Sequence, residues 1–330
     1  MLVGVDARAL AARRGVARYT RRMVEALGAL DGLAVRALVP GRDPVEAVGG
    51  VEIVRTAASS RTLHARGAVL RHPPVDRLLG DPDVTWLPAP APVAPGRAPY
   101  VLTVHDLSWE DRPGDFTRYE RLWHALARPR ALAACAAAVV CDAPAVAKQL
   151  AQRWDVEARV VEPGVDHFPA VPRPGRYVLY VGALEPRKGL DVLAAAWPRA
   201  VAALDGAELL IAGEGRVIVP GATHLGHVTD AELHALYAGA LAVVLPSRLE
   251  GYGLPPREAA THGTPSVVSD LPTLRLPGTL RVPPGDADAL AAALASLPAQ
   301  RARLVAELPP PRTWATAAAE LCAVLEDVAR

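Results

Sequence analysis

Two glutamates separated by seven residues, Glu250 and Glu258, bracket a Gly251-Tyr252-Gly253 turn and a Pro255-Pro256 pair. The apolar run at 241–245 ahead of them reads as a strand, and prolines so placed start helices, because a first-turn residue needs no backbone N–H. A strand that breaks at glycines and restarts as a helix leaves unpaired N–H groups and a positive dipole end, which suit a phosphate or another oxyanion. The flanking carboxylates suit hydroxyls: an ionised carboxylate only accepts hydrogen bonds, and the vicinal diol of a sugar or ribose offers two donors. A molecule carrying both diol and phosphate would satisfy the whole segment. The competing reading gives Glu258 to the helix N-terminus, worth about 0.3–1 kcal/mol, and leaves Glu250 as a solvated loop charge. The segment alone does not choose between them.

A second strand-turn-helix passage, 177–190, carries Arg187 and Lys188 just before a helix start. Cations there oppose the helix dipole unless an anion lies nearby, so an anionic ligand would remove the conflict; a solvated basic turn is the alternative. Lys188 stands out because it and Lys148 are the chain's lysines against an arginine-rich background. Arginine grips phosphate through forked donors and lysine supplies a mobile point charge, so the pair suits a diphosphate leaving group. Asp81-Pro82-Asp83 has the spacing of a metal-binding Asp-X-Asp, but beside Gly80 and ahead of a strand it reads as a turn. With no metal-spaced His/Cys cluster and no Ser-His-Asp arrangement, no metal and no cofactor is expected.

Holding these residues in place requires alternating elements. Apolar runs at 2–5, 33–39, 51–54, 84–87, 100–104, 138–141 and 159–161 read as strands, and the second half repeats them at 177–182, 207–212, 241–245, 266–268 and 280–282. Helical patterns lie between, as where Leu190, Leu193, Trp197, Val201 and Leu204 share a face. Near-continuous apolar strands alternating with amphipathic helices mean parallel sheets covered on both sides, hence an α/β fold of two doubly wound Rossmann-like domains. The proline- and glycine-rich stretch 163–175 reads as the linker and hinge, dividing a domain at 1–165 from one at 166–311. Pro309-Pro310-Pro311 then precede a last helix with Trp314, Ala318, Leu321, Leu325 and Val328 on one face.

The 330 residues, 51% hydrophobic and 22% charged, fit two globular domains and exclude a disordered chain. Lys+Arg 36 against Asp+Glu 35 gives +1, which excludes nucleic-acid binding by bulk charge. Cys135, Cys141 and Cys322, odd in number and irregularly spaced, fit a reducing compartment. No run approaches the ~20 apolar residues of a membrane span, and Asp6 arrives too early for a signal peptide, so a cytoplasmic protein is expected. Residues 1–165 carry 22 basic against 18 acidic side chains, and Arg14, Arg18, Arg21 and Arg22 form a basic face opposite Val16, Tyr19, Met23, Leu27 and Leu30. Both a solvated face and contact with an anionic membrane surface account for it.

The run from Glu250 to Glu258, taken with Val181-Gly182-Ala183-Leu184-Glu185-Pro186-Arg187-Lys188 and Gly263-Thr264-Pro265, closely resembles the retaining nucleotide-sugar glycosyltransferases of family 4. Gly15-Val16-Ala17-Arg18-Tyr19, Thr103-Val104-His105-Asp106-Leu107-Ser108 and Pro163-Gly164-Val165-Asp166 extend the resemblance, in family order, over nearly the whole chain. The resemblance implies the GT-B architecture: two Rossmann-like domains facing across a cleft, the donor on the second, the acceptor on the first, and a C-terminal helix, 312–330, crossing back to the first. It also implies residue roles. Lys188 and Arg187 would neutralise the donor diphosphate, Glu258 would bind the ribose diol and Glu250 the hydroxyls of the transferred sugar. The backbone of Gly251, Tyr252, Gly253 and Leu254, with Gly15 of the first loop, would contact sugar and phosphate. Gly213 and Val228 would lie at the base pocket, and His105 near the reacting centre. Ala183 replaces an arginine frequent in the family, so that phosphate contact is either missing or supplied by Arg187, and Ala17 stands where a second glycine is usual.

The activity implied is metal-independent, retaining transfer of a sugar from a nucleoside diphosphate sugar to a hydroxyl acceptor, which would be a sugar, a lipid-linked acceptor or a small molecule. The Glu-Pro-Arg-Lys variant is shared with mannosyl and related transferases, and the basic first half would go with peripheral contact at the inner face of a membrane. The competing readings are a nucleotide-sugar epimerase or phosphorylase on the same architecture, and an inactive nucleotide-sugar-binding partner.

Overall fold

The computed structural model describes residues 1–11, 15–41, 45 and 47–330; Arg14 of the expected basic face lies outside them. The chain divides into two units, Met1–Gly164 with Arg312–Arg330, and Val165–Pro311. The apolar runs of the first half become a seven-stranded sheet: β1 (Leu2–Val5), β2 (Ala34–Pro40), β3 (Val51–Thr56), β4 (Val84–Leu87), β5 (Tyr100–Val104), β6 (Ala138–Cys141) and β7 (Ala158–Val160). These pair in parallel in the order β3-β2-β1-β4-β5-β6-β7. The chain winds outward from β1, returns, and winds the other way from β4, so the turn of direction falls between β1 and β4. β4 and β5 are buried along their whole length, as their unbroken apolar sequence requires.

The final helix, Trp314–Ala329, belongs to the first unit. Thr313 caps it, accepting the Thr316 N–H at 3.1 Å, and Trp314, Ala317, Ala318, Leu321 and Leu325 join Tyr19, Met23 and Leu27 of helix Gly15–Gly28 in one core. Gly164 makes this docking feasible: a Cβ there would stand 2.2 Å from the Trp314 nitrogen.

The basic face expected on helix Gly15–Gly28 is not a freely solvated one. Arg18, Arg21 and Arg22 are half-buried, and Arg22 pairs with Glu25 at 3.0 Å. Ala17 faces the core, 7% exposed, so its methyl is packing rather than an obstacle on an outer loop. Exposed apolar side chains gather elsewhere in the unit. Tyr119, Leu122 and Leu126 line helix Arg118–Ala127 at 65, 56 and 40% exposure, and Val69 and Leu70 end helix Ser60–Leu70 at 76 and 64%. The two helices meet where the His64 ring stands edge-on to Trp123, 4.3 Å between centroids. Asp81-Pro82-Asp83 forms the expected turn: Asp81 sits at φ 52° and the Asp83 carboxylate accepts the Leu2 N–H at 2.7 Å.

The second unit holds six parallel strands, β8 (Tyr177–Val181), β9 (Glu208–Ala212), β10 (Thr223–Gly226), β11 (Ala242–Leu245), β12 (Ser266–Ser269) and β13 (Thr279–Val282), in the order β10-β9-β8-β11-β12-β13. Edge strand β10 had no apolar run to announce it, because Thr223 and His224 are exposed. Its reversal of direction falls between β8 and β11. The stretch expected as a linker is anchored to this unit from Asp166 on: the Asp166 carbonyl accepts from Thr261 at 3.4 Å, Phe168 packs edge-on to His234, and the Arg173 N–H reaches the Ala235 carbonyl at 3.0 Å. Backbone of the expected linker is thus tied to helix Asp230–Gly239 and its surroundings.

Candidate functional site

In open parallel sheets, ligands bind outside the carboxyl ends of the strands where the winding reverses. In the second unit that place is the pair of loops leaving β8 and β11, and the two expected passages meet there. After β8 the chain makes a short 3-10 turn, Pro186–Lys188, and enters helix Leu190–Ala200 through Gly189 at φ 68°. Only glycine fits at 189, since a Cβ would stand 2.0 Å from the Pro246 carbonyl oxygen. This close approach lays the β8 loop on the β11 loop, where the Arg248 N–H donates to the Arg187 carbonyl at 2.8 Å and the Arg248 guanidinium forks onto Asp191 at 2.6 Å through both nitrogens.

Lys188 and Glu250 form an ion pair across these loops, Nζ to Oε1 2.5 Å, with side chains only 12 and 9% exposed. Ser247, fully buried, donates to the same Oε1 at 2.8 Å, and Thr273 donates to the Glu250 carbonyl at 2.9 Å. Arg187 pairs with Glu185 at 3.0 Å. The expected conflict between two cations and a helix start is therefore met by the chain's own carboxylates, and the anion that the sequence seemed to require is in part Glu250 itself.

Helix Leu254–Thr261 begins at Gly253, φ 77°, with its prolines in the first turn. Arg257 secures the turn, its guanidinium 3.7 Å from the centroid of the Tyr252 ring and donating to the Tyr252, Gly253 and Thr273 carbonyls. Gly251, Tyr252 and Gly253 are buried and Leu254 half-buried. Glu258 faces inward, 3% exposed, and accepts the Tyr237 hydroxyl at 2.7 Å, so it is not a solvated helix-end charge. Burial, with Glu250 adding, drives the Tyr180 phenol well above its ordinary range and keeps it a neutral donor to the Ala183 carbonyl at 2.9 Å. Gly213, at φ 141°, ends β9 with its N–H on the Gly226 carbonyl at 2.8 Å, while Val228, half-buried, packs on the cluster around Tyr177 and Leu233.

The first unit gathers its own polar groups at the carboxyl ends of β1, β5 and β6. Asp6 and Arg8 form a buried two-bond ion pair, 2.6 Å at each bond. Burial alone would raise Asp6, yet Arg8 outweighs it and holds the carboxyl below its usual range. His105 follows β5 and shares a 2.7 Å hydrogen bond with Asp142 through Nδ1. Burial works against a charge on that ring, but Asp142, Asp106 and the Pro88 carbonyl together raise its pKa above 6.5. Gly15 is exposed at the start of its helix, and a Cβ there would meet nothing within 4 Å.

The structure thus brings Lys188, Glu250, Arg187 and the Gly253 turn together on the second unit, with Glu258 on the same turn's helix. His105 and Gly15 belong to the other unit. Sequence reasoning missed Ser247, Thr273, Arg257, Tyr237 and Asp142. Of these, Arg257 lies within the Glu250–Glu258 run and carried a signal in its charge, and Ser247 stands three residues before it. Tyr237 and Asp142 carried none.

Residues 13–167 match the sequence model described as Glycosyltransferase Family 4, and residues 175–300 the one described as Glycosyl transferases group 1. A phosphatidyl-myo-inositol mannosyltransferase of Mycobacterium leprae is 34% identical over 217 residues, 54% of this chain and 58% of that protein. A glycogen synthase of Mycobacterium tuberculosis is 37% identical over 133 residues, 35% of this chain and 32% of that one. The chain thus spans between about a third and three-fifths of these relatives. Among solved structures, a sucrose-phosphate synthase from Thermosynechococcus elongatus superposes with a TM-score of 0.76 at 20% identity, covering 99% of this chain and 98% of its own, a likeness of fold. With both halves matched and the doubly wound sheets in place, the chain belongs to the family 4 glycosyltransferases of GT-B architecture.

Proposed function

We propose that the protein is a retaining, metal-independent glycosyltransferase that moves a sugar, mannose foremost, from a nucleoside diphosphate sugar to a hydroxyl acceptor. The observation that carries this reading is the Lys188–Glu250 ion pair at the reversal point of the second sheet, beside a helix start at Gly253. A diphosphate entering there takes Lys188 from Glu250, since a dianionic group competes well for one ammonium. Glu250, released, accepts hydroxyls of the transferred sugar. Arg187 and the first N–H groups of helix Leu254–Thr261 add positive potential where the leaving group gathers charge, the task a divalent cation performs in other transferases. Glu258 receives the ribose diol, and the ends of β9 and β10 at Gly213 and Val228 take the base. The mannose reading draws on the mycobacterial mannosyltransferase, and retention on the family.

The acceptor side falls to the first unit, with His105 at the reacting centre. A second feature favours a lipid-linked acceptor at a membrane face. Arg61, Arg66 and Arg71 on and after helix Ser60–Leu70, and Arg118, Arg121 and Arg128 on and after helix Arg118–Ala127, are exposed around Tyr119, Leu122, Leu126, Val69 and Leu70. Glu120, which caps its own helix through Thr117, is the acid within these two helices. An apolar stripe set among arginines fits an anionic lipid surface. No helix among the described residues is long and apolar enough to cross a membrane.

Transfer from a panel of nucleotide sugars to hydroxyl acceptors, after exhaustive chelation, tests the reading. The expected product has the donor's anomeric configuration in its proton spectrum. An inverted anomer, activity restored only by magnesium or manganese, or epimer formation without acceptor would overturn it.

A further inference from the structure

β5 and β6 lie side by side with Val104 opposite Cys141, so the residues that follow, His105 and Asp142, leave the sheet in register. Their hydrogen bond is a product of that register and of nothing local, for 37 residues separate them. Asp142 is 5% exposed, and while its Oδ2 bonds to Nδ1 of His105, its Oδ1 is buried with no partner. A carboxylate removed from water with one oxygen unsatisfied is costly to a fold. Packing gives no reason to keep it, because a neutral side chain of the same shape would fill the space at lower cost.

The groups facing the His105 ring narrow its role. The Asp142 carboxylate stands at Nδ1, the Pro88 carbonyl after β4 also faces the ring, and Asp106 adds negative potential from the same loop. Tyr19, on helix Gly15–Gly28, presents its ring at 81° with 4.7 Å between centroids. Two acceptors and a second carboxylate surround the imidazole, and Nε2 lies buried without a well-formed hydrogen bond of its own. Such surroundings favour protons on both nitrogens.

We propose that Asp142 is a positioning residue for sugar transfer: it holds the His105 ring by Nδ1 and keeps a proton on both ring nitrogens, so that the ring serves the acceptor side as a fixed positive group and not as a base. The proposal rests on the glycosyltransferase reading and adds a direction to it. His105 loses its function as pH rises, whereas a general base would lose it as pH falls. Asp142 touches no reactant and acts through the ring.

The test pairs Asp142→Asn, which keeps shape and one acceptor while removing the charge, with His105→Gln. In protein carrying labelled histidine, the His105 resonance, assigned by its loss in His105→Gln, is titrated, and kcat/KM is measured across the same pH range. Asp142→Asn should lower the His105 midpoint by at least about one pH unit and shift the basic limb of the rate profile equally, so that activity above the new midpoint falls about tenfold while acid-side activity stays near that of the parent. In a His105→Gln background, Asp142→Asn should shift the profile no further. Nucleoside diphosphate binding, which belongs to the other unit, reports that each variant is folded and should be unchanged. An unmoved midpoint, a moved midpoint without a moved rate profile, or a rate that falls on the acid limb each overturns the proposal. If the midpoint moves but no nucleotide sugar supports transfer in the parent protein, the glycosyltransferase reading itself fails, and the dyad is a feature of the fold alone.

Discussion

Replacing Lys188 separates a structural charge from a functional one. The Lys188–Glu250 pair is about nine-tenths buried on both sides, so Lys188→Met strands Glu250 with the Ser247 hydroxyl as its remaining close donor. Removing one partner of a buried pair costs about 3–5 kcal/mol, and the Ser247 bond with the residual solvent contact brings this to roughly 2–4 kcal/mol. For a unit of this size that is a fall of about 5–12 °C in Tm. Adding Glu250→Gln should recover most of it, because no unpaired charge remains. Nucleoside diphosphate binding should behave differently. Loss of a charge-assisted bond costs about 1.5–3 kcal/mol, or roughly 10- to 150-fold in Kd, and the double variant should not regain it. Glu250→Gln alone should tighten diphosphate binding, since Lys188 no longer has to leave a carboxylate, yet abolish transfer. Calorimetry with nucleoside diphosphates and their parent nucleosides reads all three. Equal losses for diphosphate and nucleoside in Lys188→Met, or recovery of diphosphate binding together with stability in the double variant, would refute the reasoning.

Sedimentation with vesicles should show binding to equal parts phosphatidylglycerol and phosphatidylcholine, weakened by salt, with roughly fivefold lost for each of Arg118, Arg121 and Arg128 changed to Ala. Comparable binding to pure phosphatidylcholine, or indifference to Leu122→Ser with Leu126→Ser, would reject the lipid surface. In the second unit, burial first, then His234 and His167, bring His262 down from 6.5 to about 4. The folded ring stays neutral where the unfolded one takes a proton, so this stability is complete above pH 6.5 and declines as pH falls from 6.5 to 4, by ~1–2 kcal/mol after allowance for solvent screening. Urea unfolding at steps through that range should show the decline and a shallower one in His262→Gln; a slope that His262→Gln leaves unchanged would count against it.

Nearly every strand was legible because it is buried on both faces and must be apolar throughout; β10 escaped because an exposed edge carries no such obligation. Glu250, Glu258, Arg187 and Lys188 were legible because carboxylates and cations beside glycine turns are anomalous in any chain. What they bond to was not. Lys188 finds Glu250, and Glu258 finds Tyr237, through the order in which strands and helices assemble, and nothing near Tyr237 or Asp142 in the sequence marks either residue. The arginines of the first helix misled for the opposite reason: charge was visible, but Arg22 answering Glu25 and the half-burial of its neighbours were not. In 163–175 the composition marked a linker, but the backbone bond from Arg173 to Ala235 of helix Asp230–Gly239 was not visible in it.

Because the first unit ends with Trp314–Ala329, its core has a place in time as well as in space. On the ribosome, residues up to Gly164 emerge with Tyr19, Met23 and Leu27 still lacking the helix that covers them, and the entire second unit must be made before that helix appears. At about 5–20 residues per second, the exposed face waits on the order of ten seconds or more. The second unit, continuous in the chain, has no such wait and can fold first. The core whose first strand is made first is therefore the one completed last, and its apolar face stays open to solvent until the final helix is released.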